Sequence, residues 1–203
     1  MSEPRRRVAL TIDAEHGDHP TRPEAPWELV ELLAHEHVRA TFFVQGAWAQ
    51  ANPRLARRIA ADGHLVGSHS HWHAPISLLT DEGIERDLER AAEALGKAAG
   101  VDPRPWFRCP YGDGGDDPRV TAILERMGYR HRGWDVDPQD WHPGSTPDHV
   151  AAGVLEGVDA HGDGAVVLLH VWPASTADAL PAVIAGLRER GAELVGLDEV
   201  VEP

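Results

Sequence analysis

Two kinds of apolar run alternate along the chain, and their alternation sets the expected architecture. Short β-rich runs at Arg7–Ile12, Thr41–Val44, His64–Gly67, Pro105–Arg108, Tyr129–Asp135, Ala165–His170 and Glu193–Leu197 predict seven strands. Helix-period runs at Pro26–His37, Asn52–Ala61, Thr80–Ala99, Pro118–Met127, Pro147–Val158 and Thr176–Arg190 predict six helices between them. The punctuation agrees. Asn52 and Pro53 stand where a cap and a first-turn proline belong, and Gly63 lies just past that helix. Thr80 precedes Asp81 and Glu82 in another first turn, and Gly191 closes the last helix. Strands alternating with helices argue for parallel βαβ units. The expectation is one α/β domain over residues 1–203, a closed or nearly closed barrel, with an open doubly wound sheet as the alternative.

Composition narrows the function classes. The 203 residues carry 19 Lys+Arg against 33 Asp+Glu, a net charge of −14, with 42% hydrophobic and 26% charged residues. That balance is ordinary for a globular chain. Acidity disfavours nucleic acid, whose phosphates are held by Lys and Arg, and an anionic membrane surface. No apolar run approaches the roughly 18 residues of a membrane span. The arginine run Arg5-Arg6-Arg7 precedes an apolar stretch that meets Asp13 too soon for a signal peptide. The expected location is therefore cytoplasmic as written, or secreted if a leader has been trimmed. The single cysteine, Cys109, cannot form an intrachain disulfide and is read as packing.

Thirteen histidines and seven tryptophans depart from the average, and position decides which matter. Asp13 and Glu15 follow the first predicted strand, His69–His73 the third, Arg108 the fourth, Asp135–Trp141 the fifth, and His170 ends the sixth. In a parallel barrel the C-terminal strand ends meet at one mouth, where active sites form. In His69-Ser70-His71-Trp72-His73, the outer two imidazoles share a face if the segment forms a helical turn, and His71 points elsewhere. Two neutral imidazoles plus one carboxylate make a zinc site with a position open for water. Asp13 and Glu15 are alternate residues of an extended segment and so share a face. One would bind the metal and the other act as general base; both assignments stay open.

These residues resemble the polysaccharide deacetylases of carbohydrate esterase family four, the nodulation-protein-B (NodB) homology domain. Five motifs of that family occur in order between residues 11 and 170. Thr11-Ile12-Asp13-Ala14-Glu15 is a loose match to Thr-Phe-Asp-Asp-Gly, and His69-Ser70-His71-Trp72-His73 fits His-Ser/Thr-x-x-His. Arg108-Cys109-Pro110-Tyr111-Gly112 fits Arg-x-Pro-Tyr-Gly, Asp137-Pro138-Gln139-Asp140-Trp141 fits Asp-x-x-Asp-Trp, and Leu168-Leu169-His170 fits the last motif. The resemblance implies a single irregular (β/α)7-type barrel. It also implies a metal-dependent hydrolase of the carbon–nitrogen bond of an N-acetyl group. The implied cofactor is one divalent ion, zinc first, with Co2+, Ni2+ or Mn2+ possible.

The roles implied by the resemblance are specific. Glu15, His69 and His73 would hold the metal, with Asp13 as general base paired to Arg108. The Tyr111 backbone N–H would stabilise the oxyanion. His170 would protonate the departing amine, oriented by Asp140, with Asp137 as an alternative partner. Trp141 and Leu168 would wall the acetyl pocket. The chain departs from the family at Ala14, where a second, metal-binding Asp is usual, and Glu15 is the nearest replacement. The expected substrate is an N-acetylated sugar, in a chitin- or peptidoglycan-type polymer, an oligomer or a soluble glycoconjugate, or a small amide. The alternatives are hydrolysis of another bond on the same scaffold (a cyclic ureide or imide, or O-acetyl xylan) and a non-catalytic carbohydrate-binding protein. Asp113–Asp117 is read as a flexible acidic stretch that disfavours an anionic polymer nearby.

Overall fold

The run RVALTIDA forms β1 (Arg7–Ala14), and every residue after Arg7 is buried. Continuous burial on both faces is the mark of a strand inside a parallel sheet. The computed structural model describes residues 6–17 and 22–200, so Arg5, which begins the arginine run, lies outside the described residues. The other strands are β2 (Thr41–Val44), β3 (Leu65–Ser68), β4 (Trp106–Phe107), β5 (Arg130–His131), β6 (Ala165–His170) and β7 (Glu193–Val195). The helices are α1 (Ala25–His35), α2 (Gly46–Ala51), α3 (Pro53–Ala61), α4 (Asp81–Ala99), α5 (Pro118–Arg126), α6 (Pro147–His161), α7 (Ala174–Glu189) and α8 (Leu197–Val200).

The chain divides into two compact units. The first comprises residues 1–12, 16–41 and 134–203. In it β1 is flanked by β6 and β7, and the β7 pairing is parallel with Arg7 opposite Glu193 and Ala9 opposite Val195. The Thr11 hydroxyl donates to the Val167 carbonyl at 2.6 Å, which removes a polar cost from an otherwise apolar core. Helix α7 packs against both α1 and α6.

The second unit comprises residues 13–15 and 42–133. Its strands lie in the order β5-β4-β3-β2, with parallel pairing that sets Ser68 opposite Phe107 and Phe107 opposite His131. Ile84 and Leu88 of α4 and Val120, Ile123 and Leu124 of α5 close over Phe107, Cys109 and Tyr129. Cys109 is buried there as a packing residue.

Tertiary contacts override the sequence pattern at several places. Helix α2 is one. Its Gly46 approaches the next segment so closely that a Cβ there would lie 2.4 Å from the His71 ring nitrogen and 3.0 Å from the Ala91 Cα. Asn52 stands at the N-cap of α3, where its carbonyl accepts the Ala56 N–H, but its side chain makes no capping bond there; its amide donates back to the Trp48 carbonyl at 3.0 Å and ends α2. Thr80 does cap α4, accepting from the Gly83 N–H. Strand β5 is shorter than expected because the Arg132 and Gly133 carbonyls accept from the Arg108 guanidinium at 3.1 and 2.9 Å instead of continuing a ladder. The backbone rejoins sheet pairing only at the Val136–Val167 bridge. The last strand stops at Val195, and Leu197 begins α8.

Candidate functional site

The second unit carries a cluster built from three strand ends. Asp13 and Glu15 come from the end of β1, His69 and His73 from the loop after β3, and Arg108 from the end of β4. The 69–73 segment is not a helical turn. Ser70 and His73 adopt left-handed backbone conformations, φ 59° and 58°, and the His73 N–H donates to the Ser70 hydroxyl at 2.9 Å. This tight loop still brings the two imidazoles together, with Nε2 atoms 3.1 Å apart. His71 points away and is buried, and burial pushes its pKa down.

Glu15, His69 and His73 offer one ligand atom each, all within 4.8 Å of one another. The Glu15 carboxylate lies 3.3 Å from His69 Nε2 and 2.5 Å from His73 Nε2. Each imidazole is oriented from behind. His69 Nδ1 is 2.9 Å from the Arg108 carbonyl, which can only accept, so the proton sits on Nδ1 and the Nε2 lone pair faces inward. His73 Nδ1 is 3.1 Å from the Tyr111 hydroxyl. Two inward lone pairs beside a carboxylate repel one another unless a cation or a proton lies between them. The donor set therefore fits a divalent metal with two imidazoles, one carboxylate and partners behind each ring.

The electrostatics agree. Burial alone would raise the Glu15 pKa, but its hydrogen bonds and charge interactions with His69 and His73 hold it well below the usual carboxylate range. For His69 burial disfavours the charged ring, and the carboxylates of Asp13 and Glu15 outweigh that and raise its pKa. A metal ion would take the place of that proton.

Asp13 is placed differently from Glu15. One carboxylate oxygen accepts from Arg108 Nη1 at 2.8 Å, and the other lies 3.5 Å from His69 Nε2. Arg108 is fully buried, with its guanidinium 4.1 Å from the Phe43 ring centroid. Ala14, between the two acids, is itself buried, and its carbonyl accepts the Gln45 N–H. Tyr111 sits in the turn Pro110–Gly112 with φ 59°, and its ring is exposed. The contact between its hydroxyl and His73 is absent from the sequence reading, which considers only the Tyr111 backbone; the two are 38 positions apart. The acidic stretch is more ordered than expected. Asp113 accepts from the Ser77 N–H and hydroxyl, and Asp117 caps α5.

The first unit carries a second cluster. His170, at the end of β6, has its Nδ1 2.8 Å from the Asp140 carboxylate. Asp140 also accepts the His170 N–H at 2.8 Å and the Thr176 hydroxyl at 2.6 Å. Three donors fix this buried carboxylate, which in turn fixes the ring with Nδ1 towards Asp140 and Nε2 on the opposite side. Asp137 accepts from the Gln139 N–H and is not the partner found for His170. Thr176 carries no signal in the sequence because its partner lies 36 positions away. A cavity of about 340 Å³ beside this pair is lined by Trp141, Trp172, Asp140, Ser145 and Arg22 among others. Leu168 is buried within β6 and is not among its lining residues.

A family model described as Polysaccharide deacetylase matches residues 1–131. The chain is 36% identical to a chitooligosaccharide deacetylase of Sinorhizobium fredii, covering 80% of this chain and 71% of that one. It superposes on the structure of T48 deacetylase with substrate at TM-score 0.82 and 33% identity, covering 97% of this chain and 90% of the other. It is also similar to BA3943, described as a family 4 carbohydrate esterase pseudoenzyme from Bacillus anthracis, at TM-score 0.83 and 29% identity, covering 97% of this chain and 65% of that one. Other relatives are longer, and the chain spans 52% of one and 39% of another. These likenesses carry the α/β, (β/α)7-type barrel class expected from the sequence.

Proposed function

The chain belongs to the polysaccharide deacetylase family, and we propose that it is a metal-dependent hydrolase removing an N-acetyl group from an amino sugar, in a chitin- or peptidoglycan-type polymer, an oligomer or a soluble glycoconjugate. The observation that carries this reading is the Glu15–His69–His73 set, whose Nε2 lone pairs and carboxylate converge. Glu15 supplies the carboxylate that Ala14 cannot, and Asp13 is left to Arg108 as a base. A divalent ion held there supplies Lewis acidity to the acyl carbonyl and to water.

The residues divide the remaining work. Asp13 accepts the proton of the attacking water as its oxygen bonds to the carbonyl carbon. The Tyr111 N–H donates to the oxyanion that develops. The carbon–nitrogen bond then breaks, His170 protonates the departing amine, and acetate and the free amino sugar leave. Asp140 keeps the His170 ring in register, and Trp141, which lines the cavity beside it, walls the acetyl pocket.

One observation favours a second reading, a non-catalytic sugar-binding protein: Ala14 occupies the position of the family's usual second Asp. Acetate release separates the two. The protein is stripped with chelator, reloaded with zinc, and incubated with N-acetylglucosamine oligomers. Release that needs the metal, with about one ion per chain lost in Glu15→Ala, supports the hydrolase. A loaded protein inert towards N-acetyl and O-acetyl sugars supports the binding protein.

A further inference from the structure

A cavity of about 320 Å³ in the second unit lies alongside the loop that carries His69 and His73, since Trp72 and Ala74 line it on either side of His73 in the chain. Its other wall is one face of α4. Gly83, Arg86, Asp87 and Arg90 follow the i, i+3, i+4, i+7 spacing of a single helical stripe. The volume suits a small-molecule ligand of monosaccharide size.

The chemistry of the walls is specific. Trp72 is 60% exposed, an unusual state for so large an apolar ring. It is nevertheless held in place, because the buried Asp87 carboxylate accepts both the His71 N–H at 2.6 Å and the Trp72 N–H at 3.2 Å. The His71 ring meets Trp72 edge-on with centroids 4.4 Å apart, and the Arg90 guanidinium carbon lies 5.9 Å from the Trp72 centroid, at the outer limit for a cation–π contact, so neither is a parallel stack on the indole. Helix α4 has acids that pair, but they pair elsewhere: Asp81 with Arg119, Glu85 with Arg126, Glu93 with Lys97. Among the described residues Arg86 and Arg90 take part in no ion pair, in a chain of net charge −14 where most arginines do. Arg90 feels the carboxylates of Asp87 and Glu93 at longer range, but neither guanidinium is tied up in a close ion pair, so the two beside an exposed, anchored indole present an anion site next to a stacking platform.

We propose that this cavity is a substrate subsite for a sugar unit bearing a carboxylate, its ring on Trp72 and its carboxylate on Arg86 and Arg90. The proposal rests on the sugar-deacetylase reading and names a neighbouring unit that the protein prefers. The carboxylate could belong to a uronic acid or to a lactyl ether, and the test separates them.

Binding to the zinc-loaded protein is measured by calorimetry with three tetrasaccharides. One is neutral N-acetylglucosamine, one alternates it with glucuronic acid, and one alternates it with N-acetylmuramic acid. At low salt at least one acidic ligand should bind about tenfold more tightly than the neutral one, as two exposed Arg–carboxylate contacts allow. The double variant R86Q/R90Q should erase that preference while leaving neutral binding unchanged, and Trp72→Ala should weaken all three. The acidic ligand that keeps the preference identifies the source of the carboxylate. Equal binding of the neutral ligand, or a preference that survives R86Q/R90Q, overturns the subsite. Acetate release from the neutral tetrasaccharide is read in parallel. Release without an acidic preference rejects the subsite and keeps the deacetylase. An Arg-dependent preference without release keeps the subsite and rejects the deacetylase.

Discussion

The Nδ1–H of His69 donates to the backbone carbonyl of Arg108 at 2.9 Å, while the Arg108 side chain holds Asp13 at 2.8 Å. One buried residue thus orients the proposed metal ligand through its backbone and the proposed base through its guanidinium. It also supports the Arg132 and Gly133 carbonyls. Arg108→Leu strips Asp13 and two carbonyls of their donor at once. The expected destabilisation is about 3–5 kcal/mol, the cost of a buried charge left without its partner. A urea midpoint within error of wild type would contradict this.

Asp13 and Glu15 should separate by experiment. Glu15→Gln loses the metal, because an amide oxygen is a poor substitute for a carboxylate at a His–His site. Asp13→Asn keeps the metal but loses roughly 10²–10⁴-fold in kcat, the usual contribution of a general base. Metal analysis alongside acetate release checks both. Loss of the metal in Asp13→Asn would exchange the two roles.

Asp140 accepts three hydrogen bonds, and an asparagine can accept at only one of its two heads. Asp140→Asn should therefore turn the His170 ring or reverse its tautomer and lower kcat by about 10²-fold or more, with KM little changed. Thr176→Val, which removes one donor, should have a smaller effect in the same direction. Equal kcat for wild type and Asp140→Asn would remove His170 from the reaction.

His131 gives stability a pH dependence. Burial, and next the positive charge of Arg108, push its pKa down to about 4 from an ordinary 6.5. The unfolded chain thus binds a proton in a range where the folded protein does not. Stability from this group is complete above pH 6.5 and is lost as pH falls towards 4, by up to about 3 kcal/mol. His131→Asn keeps an acceptor for the Cys109 N–H, which donates to His131 Nδ1 at 3.2 Å. Denaturant unfolding across pH 4–7 should show a flatter dependence in that variant; parallel curves would refute the assignment.

Cys109 should be chemically silent. Burial pushes its thiol up to about 12, leaving almost no thiolate at neutral pH. A disulfide reagent should label it only after unfolding, and rapid labelling of the native protein would mean that the core around it opens.

The sequence by itself determined the parts with short-range causes. β2 (Thr41–Val44) and β6 (Ala165–His170) match the predicted runs end to end, because a buried strand is a continuous apolar run. The cap of α4 at Thr80 is equally local. The motif residues were legible because the proposed hydrolytic chemistry restricts residue type. Tertiary structure decided what depends on distant partners. It placed Glu15, not Asp13, with the two imidazoles, because Arg108, 95 positions from Asp13, claims that carboxylate. It shortened β5 by turning two carbonyls towards the same guanidinium, and it made α2 and drew the Asn52 side chain back to that helix. A pattern of apolar positions records which faces are buried but does not record which polar groups meet inside, and in this protein those meetings form the site.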